Sequence, residues 1–226
     1  MKNPRFLKVF TPVTVMCLFF LLAIIPAGLL LPPEWGRENG PIENAQVLII
    51  ILTCIAAVTA SRCDVGSTAT KQLMGYSVPI LIIIALRELS WGRVFYPNGT
   101  DGFLPLKALW YGKYVYPIIG ITLLFILAIM VFKRLYKEIV HWAKNGRFPI
   151  VEVVILVVSL IAADFAEHRS HSILGNRQTL FEELFELTMY FSLLSLYVNL
   201  GFNKVFQPNH RDNVPNGEQA SNIRLL

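Results

Sequence analysis

Apolar residues in this chain gather into six long runs, at about residues 10–31, 44–61, 74–91, 115–132, 149–167 and 180–201. Runs of about 18 or more mostly apolar residues are what a helix needs to cross a bilayer. The pattern therefore predicts an all-α polytopic bundle of six transmembrane helices. One membrane domain is expected over residues 1–203, followed by a polar, turn-rich and mobile tail over 204–226. The short connections leave no room for a second, soluble domain.

The first run follows Met1-Lys-Asn-Pro-Arg-Phe-Leu-Lys8, which has the look of a signal peptide, and Ala23-Ile-Ile-Pro-Ala-Gly28 could pass for a cleavage site. Its apolar stretch is longer than the roughly 7–15 residues of a signal h-region. It is expected to be a retained helix, kinked near Pro26.

Charge gives the orientation. The 226 residues include 20 Lys and Arg and 15 Asp and Glu. With the N-terminus inside, 13 of the 20 basic residues fall on the inner side, and 10 of the 15 acids fall on the outer side. Lys and Arg concentrate in cytoplasmic loops, so both termini are expected in the cytoplasm of a bacterial inner membrane. The sequence pI near 9.2 then reports topology, not a nucleic-acid partner. The expected partners are membrane lipids, with a protein partner or a second copy in the membrane left open. Cys17, Cys54 and Cys63 lack metal or disulfide spacing and read as small core residues. Lys133 to Arg147 reads as a basic amphipathic segment on the inner leaflet. Asn98-Gly-Thr100 matches a glycosylation sequon that nothing else in the chain supports.

Acids and histidines interrupt the apolar runs at one side of the membrane. Asp164, Glu167, His168 and His171 fall at i, i+3, i+4 and i+7, one helical stripe. Thr179-x-x-Glu182 fits a capping box. Glu183, Glu186 and Tyr190 repeat the spacing pointing into the bundle, and Glu186 lies too deep for a cap. Glu43 follows a Gly40-Pro41 helix start, with Gln46 extending its polar face. Arg87 and Glu88 are neighbours that point apart, so each needs another partner.

Two readings of this cluster stand side by side. One is a structural ion-pair network in which Arg87, Arg93, Arg169 and Arg177 answer the acids of a non-catalytic assembly subunit or small-solute transporter. The other is a metal-dependent hydrolase or lipid-modifying enzyme. Its divalent metal, zinc or iron, would be held by Glu43, Asp164, His168, His171 and Glu186, with Glu186, Glu183, Asp164 and Glu88 as the catalytic set. The fit to metal patterns is incomplete: Asp164-x-x-x-His168 and Glu183-x-x-Glu186 stand where a di-iron bundle has Glu-x-x-His. Serine-hydrolase, phosphate-loop and dinucleotide motifs are missing.

Glu38-Asn-Gly-Pro-Ile-Glu43, Arg87-Glu-Leu-Ser-Trp-Gly-Arg93 and Phe181-Glu-Glu-Leu-Phe-Glu186 together resemble the motifs of a family of small, uncharacterised, multi-pass bacterial inner-membrane proteins. The resemblance implies a membrane domain over most of the chain and no particular activity. A looser architectural analogy runs to membrane hydrolases of the alkaline ceramidase type, from which this chain departs by lacking a third histidine on the appropriate side.

Overall fold

The computed structural model describes residues 11–63, 66–99, 102–144, 148–169 and 174–203. Seven α-helices carry it: α1 (Pro12–Leu30), α2 (Pro41–Arg62), α3 (Thr68–Glu88), α4 (Gly112–Phe132), α5 (Tyr136–Lys144), α6 (Ile150–Arg169) and α7 (Gln178–Phe202). Apart from one antiparallel bridge between Pro97 and Phe103, no strand pairing occurs among the described residues. The six expected runs fall on α1, α2, α3, α4, α6 and α7. The signal-like Met1–Lys8, the sequon's Thr100 and the 204–226 tail lie outside the described residues.

Local chemistry sets the helix starts. The Thr11 side chain accepts from Thr14 N at the start of α1, and Ser67 does the same from Thr70 N at the start of α3. Pro41 opens α2, where its missing N–H costs nothing. Pro26 lies within α1 without ending it. At α7 the expected capping box does not form. A single turn at Gly175–Arg177 runs straight into the helix at Gln178, which leaves Thr179 inside the first turn. Gln178 ties this start to the end of α6 through Glu167 O at 2.6 Å.

Helix α7 is the axis of the bundle, packed against α6, α2 and α1 and touching α3. Two apolar clusters lie along it. One joins Ile24, Ile42, Leu180, Phe181 and Leu184, and the other joins Ala60, Met74, Trp142 and Leu200. Small residues set the close approaches. A Cβ on Gly201 would come within 2.7 Å of Ala60 Cβ, and one on Gly28 would strike the Phe181 ring. With apolar surroundings on both sides, such close backbone contact is what drives helices together in a membrane.

Among the described residues, five helices, α1, α2, α3, α4 and the segment ending in α7, are long and apolar enough to cross a membrane. Their outward surfaces carry exposed Phe19, Leu22, Ile55, Ile121, Leu124 and Phe125 among others, as lipid-facing surfaces do. α6 differs because Glu152, Asp164 and Glu167 all fall on it. The acids of α2, α3 and α7, with Asp164 and Glu167 from the end of α6, lie at one end of the bundle, the acidic end; Glu152 lies at the other. Lys71, Lys133, Arg134, Lys137 and α5 mark the opposite, basic end.

Candidate functional site

The acidic end is built where α2 begins and α3 ends, against the first half of α7. Arg87 and Glu88 diverge there as adjacent helical residues must. The Arg87 side chain is 64% exposed and reaches Glu186 Oε1 at 3.9 Å. Glu88 is buried, 7% exposed, and accepts a 2.7 Å hydrogen bond from the Tyr190 hydroxyl. One turn before Glu186, Glu183 Oε2 accepts from Gln46 Nε2 at 2.7 Å, and the same amide also reaches Glu183 O at 3.0 Å. Glu43 accepts from the backbone N–H of Asn39, closing the turn into α2. Just outside, Ser90 Oγ donates to Glu38.

Glu88 lies within electrostatic reach of Glu43, Glu183 and Glu186, and Glu183 within reach of Glu43 and Glu186. Three helices thus deliver four carboxylates. Arg87 is the one guanidinium at salt-bridge distance from this set among the described residues, and at 3.9 Å its contact is long. Placing a charged side chain in hydrocarbon costs about 2.5–3.5 kcal/mol even on the most lenient insertion scale. Glu183 and Glu186, within α7, have one ion pair between them among the described residues, and it is long. The Gln46 amide oxygen, buried and without a hydrogen-bond partner among the described residues, adds a further acceptor beside Glu183.

The α6 residues stand apart. Asp164 is 78% exposed, and the His168 ring, 60% exposed, lies 3.6 Å from it and 3.5 Å from Glu167. This group meets the main cluster only at its edge, through the reach of Glu167 toward Arg87 and Glu186 and of Glu182 toward Glu167 and His168. His171 and the side chain of Arg169 lie outside the described residues. Glu183, Glu186, Glu88 and Glu43 therefore come together, whereas Asp164 and His168 face outward on another helix. Among the described residues, no three His, Cys, Asp or Glu side chains are grouped to hold a metal ion. Of the expected set of Glu43, Asp164, His168, His171 and Glu186, Glu43 and Glu186 belong to the α2–α7 group, Asp164 and His168 are exposed on α6, and His171 lies outside the described residues.

The expected ion-pair role also divides. Arg87 pairs with an acid, but Arg93 donates to Leu104 O at 2.9 Å, pinning the connection after α3. Arg177 donates to Gly28 O and Leu31 O at 2.7 and 3.0 Å, satisfying carbonyls left open at the end of α1.

One buried polar group stayed hidden in the sequence. Glu152, 2% exposed, accepts through one oxygen from Thr14 Oγ1, from Asn199 Nδ2 at 2.8 Å and from Ser195 Oγ at 3.4 Å. It joins α1, α6 and α7 near the basic end. The signal was the helical spacing of Thr188, Ser192, Ser195 and Asn199, a polar stripe on α7 that needed a partner.

No family model, curated protein or solved structure matches the chain.

Proposed function

We propose that the chain is a six-span protein of a bacterial inner membrane, with the acidic end outside and both termini in the cytoplasm. We propose further that its acidic-end cluster binds an ammonium-bearing ligand, on a lipid head group or on a small solute. α6 counts as the sixth span because its acids sit at its two ends. Val153 to Ala163 between them carries no charge, and the buried Glu152 accepts through one oxygen from Thr14, Ser195 and Asn199. The bias of Lys and Arg toward the α5 side supports the orientation.

The observation that carries the binding reading is the charge balance of Glu43, Glu88, Glu183 and Glu186 against Arg87. A cation with several N–H donors would complete it. In this reading Glu183 and Glu186 supply the negative charge and the Gln46 oxygen adds an acceptor. Glu88, oriented by Tyr190, is the group placed for proton transfer to or from such a ligand. Arg87, mostly exposed, is the side chain that gives way on entry.

A second reading is favoured by the Gln46–Glu183 and Tyr190–Glu88 bonds. These link α7 to α2 and α3, as a purely structural network fixing helix register would. Thermal unfolding of the purified protein separates the two. Ethanolamine, compared with sodium chloride at equal ionic strength, should raise the midpoint of the wild type and not that of a Glu183→Gln/Glu186→Gln double variant. A midpoint indifferent to ethanolamine in both proteins supports the structural network. Stabilisation by Zn²⁺ or Mg²⁺ alone restores the metal-centre expectation.

A further inference from the structure

An apolar recess lies at the opposite end from the carboxylates. It is a cavity of about 240 Å³ between α3, α4, α5 and α7. It exists because α4 barely packs on the bundle: of its residues only Gly112 and Ile126 are buried. After Phe132 the chain turns sharply at Arg134, whose φ of 54° lies in the left-handed region, and α5 crosses beneath the gap. Trp142 on α5 is buried against Ala60, Met74 and Leu200 and forms one wall. Ile80, Met130 and Leu196 line the rest. The one serine of the lining, Ser77, turns its hydroxyl onto Met74 O, so the lining is apolar apart from the hydroxyls of Tyr76 and Tyr197.

The rim is charged. Lys133 Nζ donates to Tyr76 OH at 2.7 Å and lies 5.0 Å from the centre of the same ring. Tyr76 itself lines the cavity. Arg134 and Lys137 follow, both exposed. An apolar slot with an ammonium fixed at its mouth matches an amphiphile with a chain and an anionic head. At about 240 Å³ it is smaller than the roughly 300–1,000 Å³ of pockets for compact drug-sized ligands. A single hydrocarbon chain suits its size and lining.

We infer that this recess docks one acyl chain of an anionic phospholipid, whose phosphate sits against Lys133, Arg134 and Lys137. The lipid fills the gap that the loosely packed α4 leaves and couples the position of α4 and α5 to the charge of the leaflet at the basic end.

Trp142 supplies the test, since it is shielded from water yet forms part of the cavity wall. The full-length protein is placed in nanodiscs containing phosphatidylglycerol with brominated acyl chains, or phosphatidylcholine brominated in the same way. The Trp142 fluorescence is taken as the difference between the wild type and Trp142→Phe. Brominated phosphatidylglycerol should quench it at about fivefold or more lower mole fraction than brominated phosphatidylcholine, the preference expected from even one basic contact to an anionic head. That preference should disappear in Lys133→Gln/Arg134→Gln/Lys137→Gln. Met130→Trp, which fills the slot from the α4 side, should protect Trp142 from both lipids. Equal quenching by the two lipids in the wild type overturns the head-group assignment. Quenching that persists unchanged in Met130→Trp overturns the cavity as the docking site.

Discussion

The strongest consequence for stability concerns Glu152, where one carboxylate oxygen gathers donors from two other helices. Glu152→Leu keeps the apolar bulk but leaves Thr14, Ser195 and Asn199 without their acceptor at a fully buried junction. Interhelical hydrogen bonds in membrane proteins contribute on average about 0.6 kcal/mol and at most about 1.7 kcal/mol each. Three of them therefore total about 2–5 kcal/mol. Ser195 is distant at 3.4 Å, so a loss of about 3 kcal/mol is expected. For a chain of this length that corresponds to a drop of about 6–12 °C in unfolding midpoint. The assay is thermal unfolding in mild detergent, read as loss of the monodisperse size-exclusion peak. Glu167→Leu is the control: it lies on the same helix with a mostly exposed side chain, and a shift under about 0.5 kcal/mol is expected there. Glu152→Gln, which retains an acceptor at the same reach, should fall less than Glu152→Leu. If Glu152→Leu unfolds no earlier than Glu167→Leu, the junction does not hold α1, α6 and α7 together and the reasoning fails.

Other substitutions probe neighbouring features by the same assay. Tyr190→Phe removes the donor to buried Glu88 and should cost about 1–2 kcal/mol, with little further loss when Glu88→Gln is added, because the two share one interaction. Gly201→Leu forces α2 and α7 apart where Ala60 approaches to 2.7 Å of a Cβ. It should cost about 1–3 kcal/mol and be partly relieved by Ala60→Gly. Arg177→Gln should destabilise the end of α1 by about 1–3 kcal/mol through the carbonyls of Gly28 and Leu31, whereas loss of a mere surface charge would leave the midpoint unchanged.

Much of the helix layout was legible because hydrocarbon length is a strong constraint. The apolar runs fall on α1 to α4, α6 and α7 with ends displaced by only a few residues. The divergence of Arg87 and Glu88, and the inward turn of Glu183, Glu186 and Tyr190, followed from helical spacing alone. The grouping of the acids did not. Asp164 and His168 share a stripe, but which way a stripe faces depends on how α6 rotates against α7, and that is set by the small buried residues Ser159, Ala163 and Ala166. The same packing hid Glu152, which in the sequence is merely an acid in the first turn of a helix. Arg93 and Arg177 misled for a different reason. Backbone carbonyls compete with carboxylates for guanidinium groups, and a linear sequence does not show where helix ends leave carbonyls open.

Equilibrium binding of radiolabelled ethanolamine tests most directly the proposed cation site formed by α2, α3 and α7 at the acidic end. One saturable site per chain is expected in the wild type. It should be lost in Glu183→Gln/Glu186→Gln and retained in Asp164→Asn/His168→Ala. Binding that survives the first pair of substitutions, or disappears with the second, would contradict it.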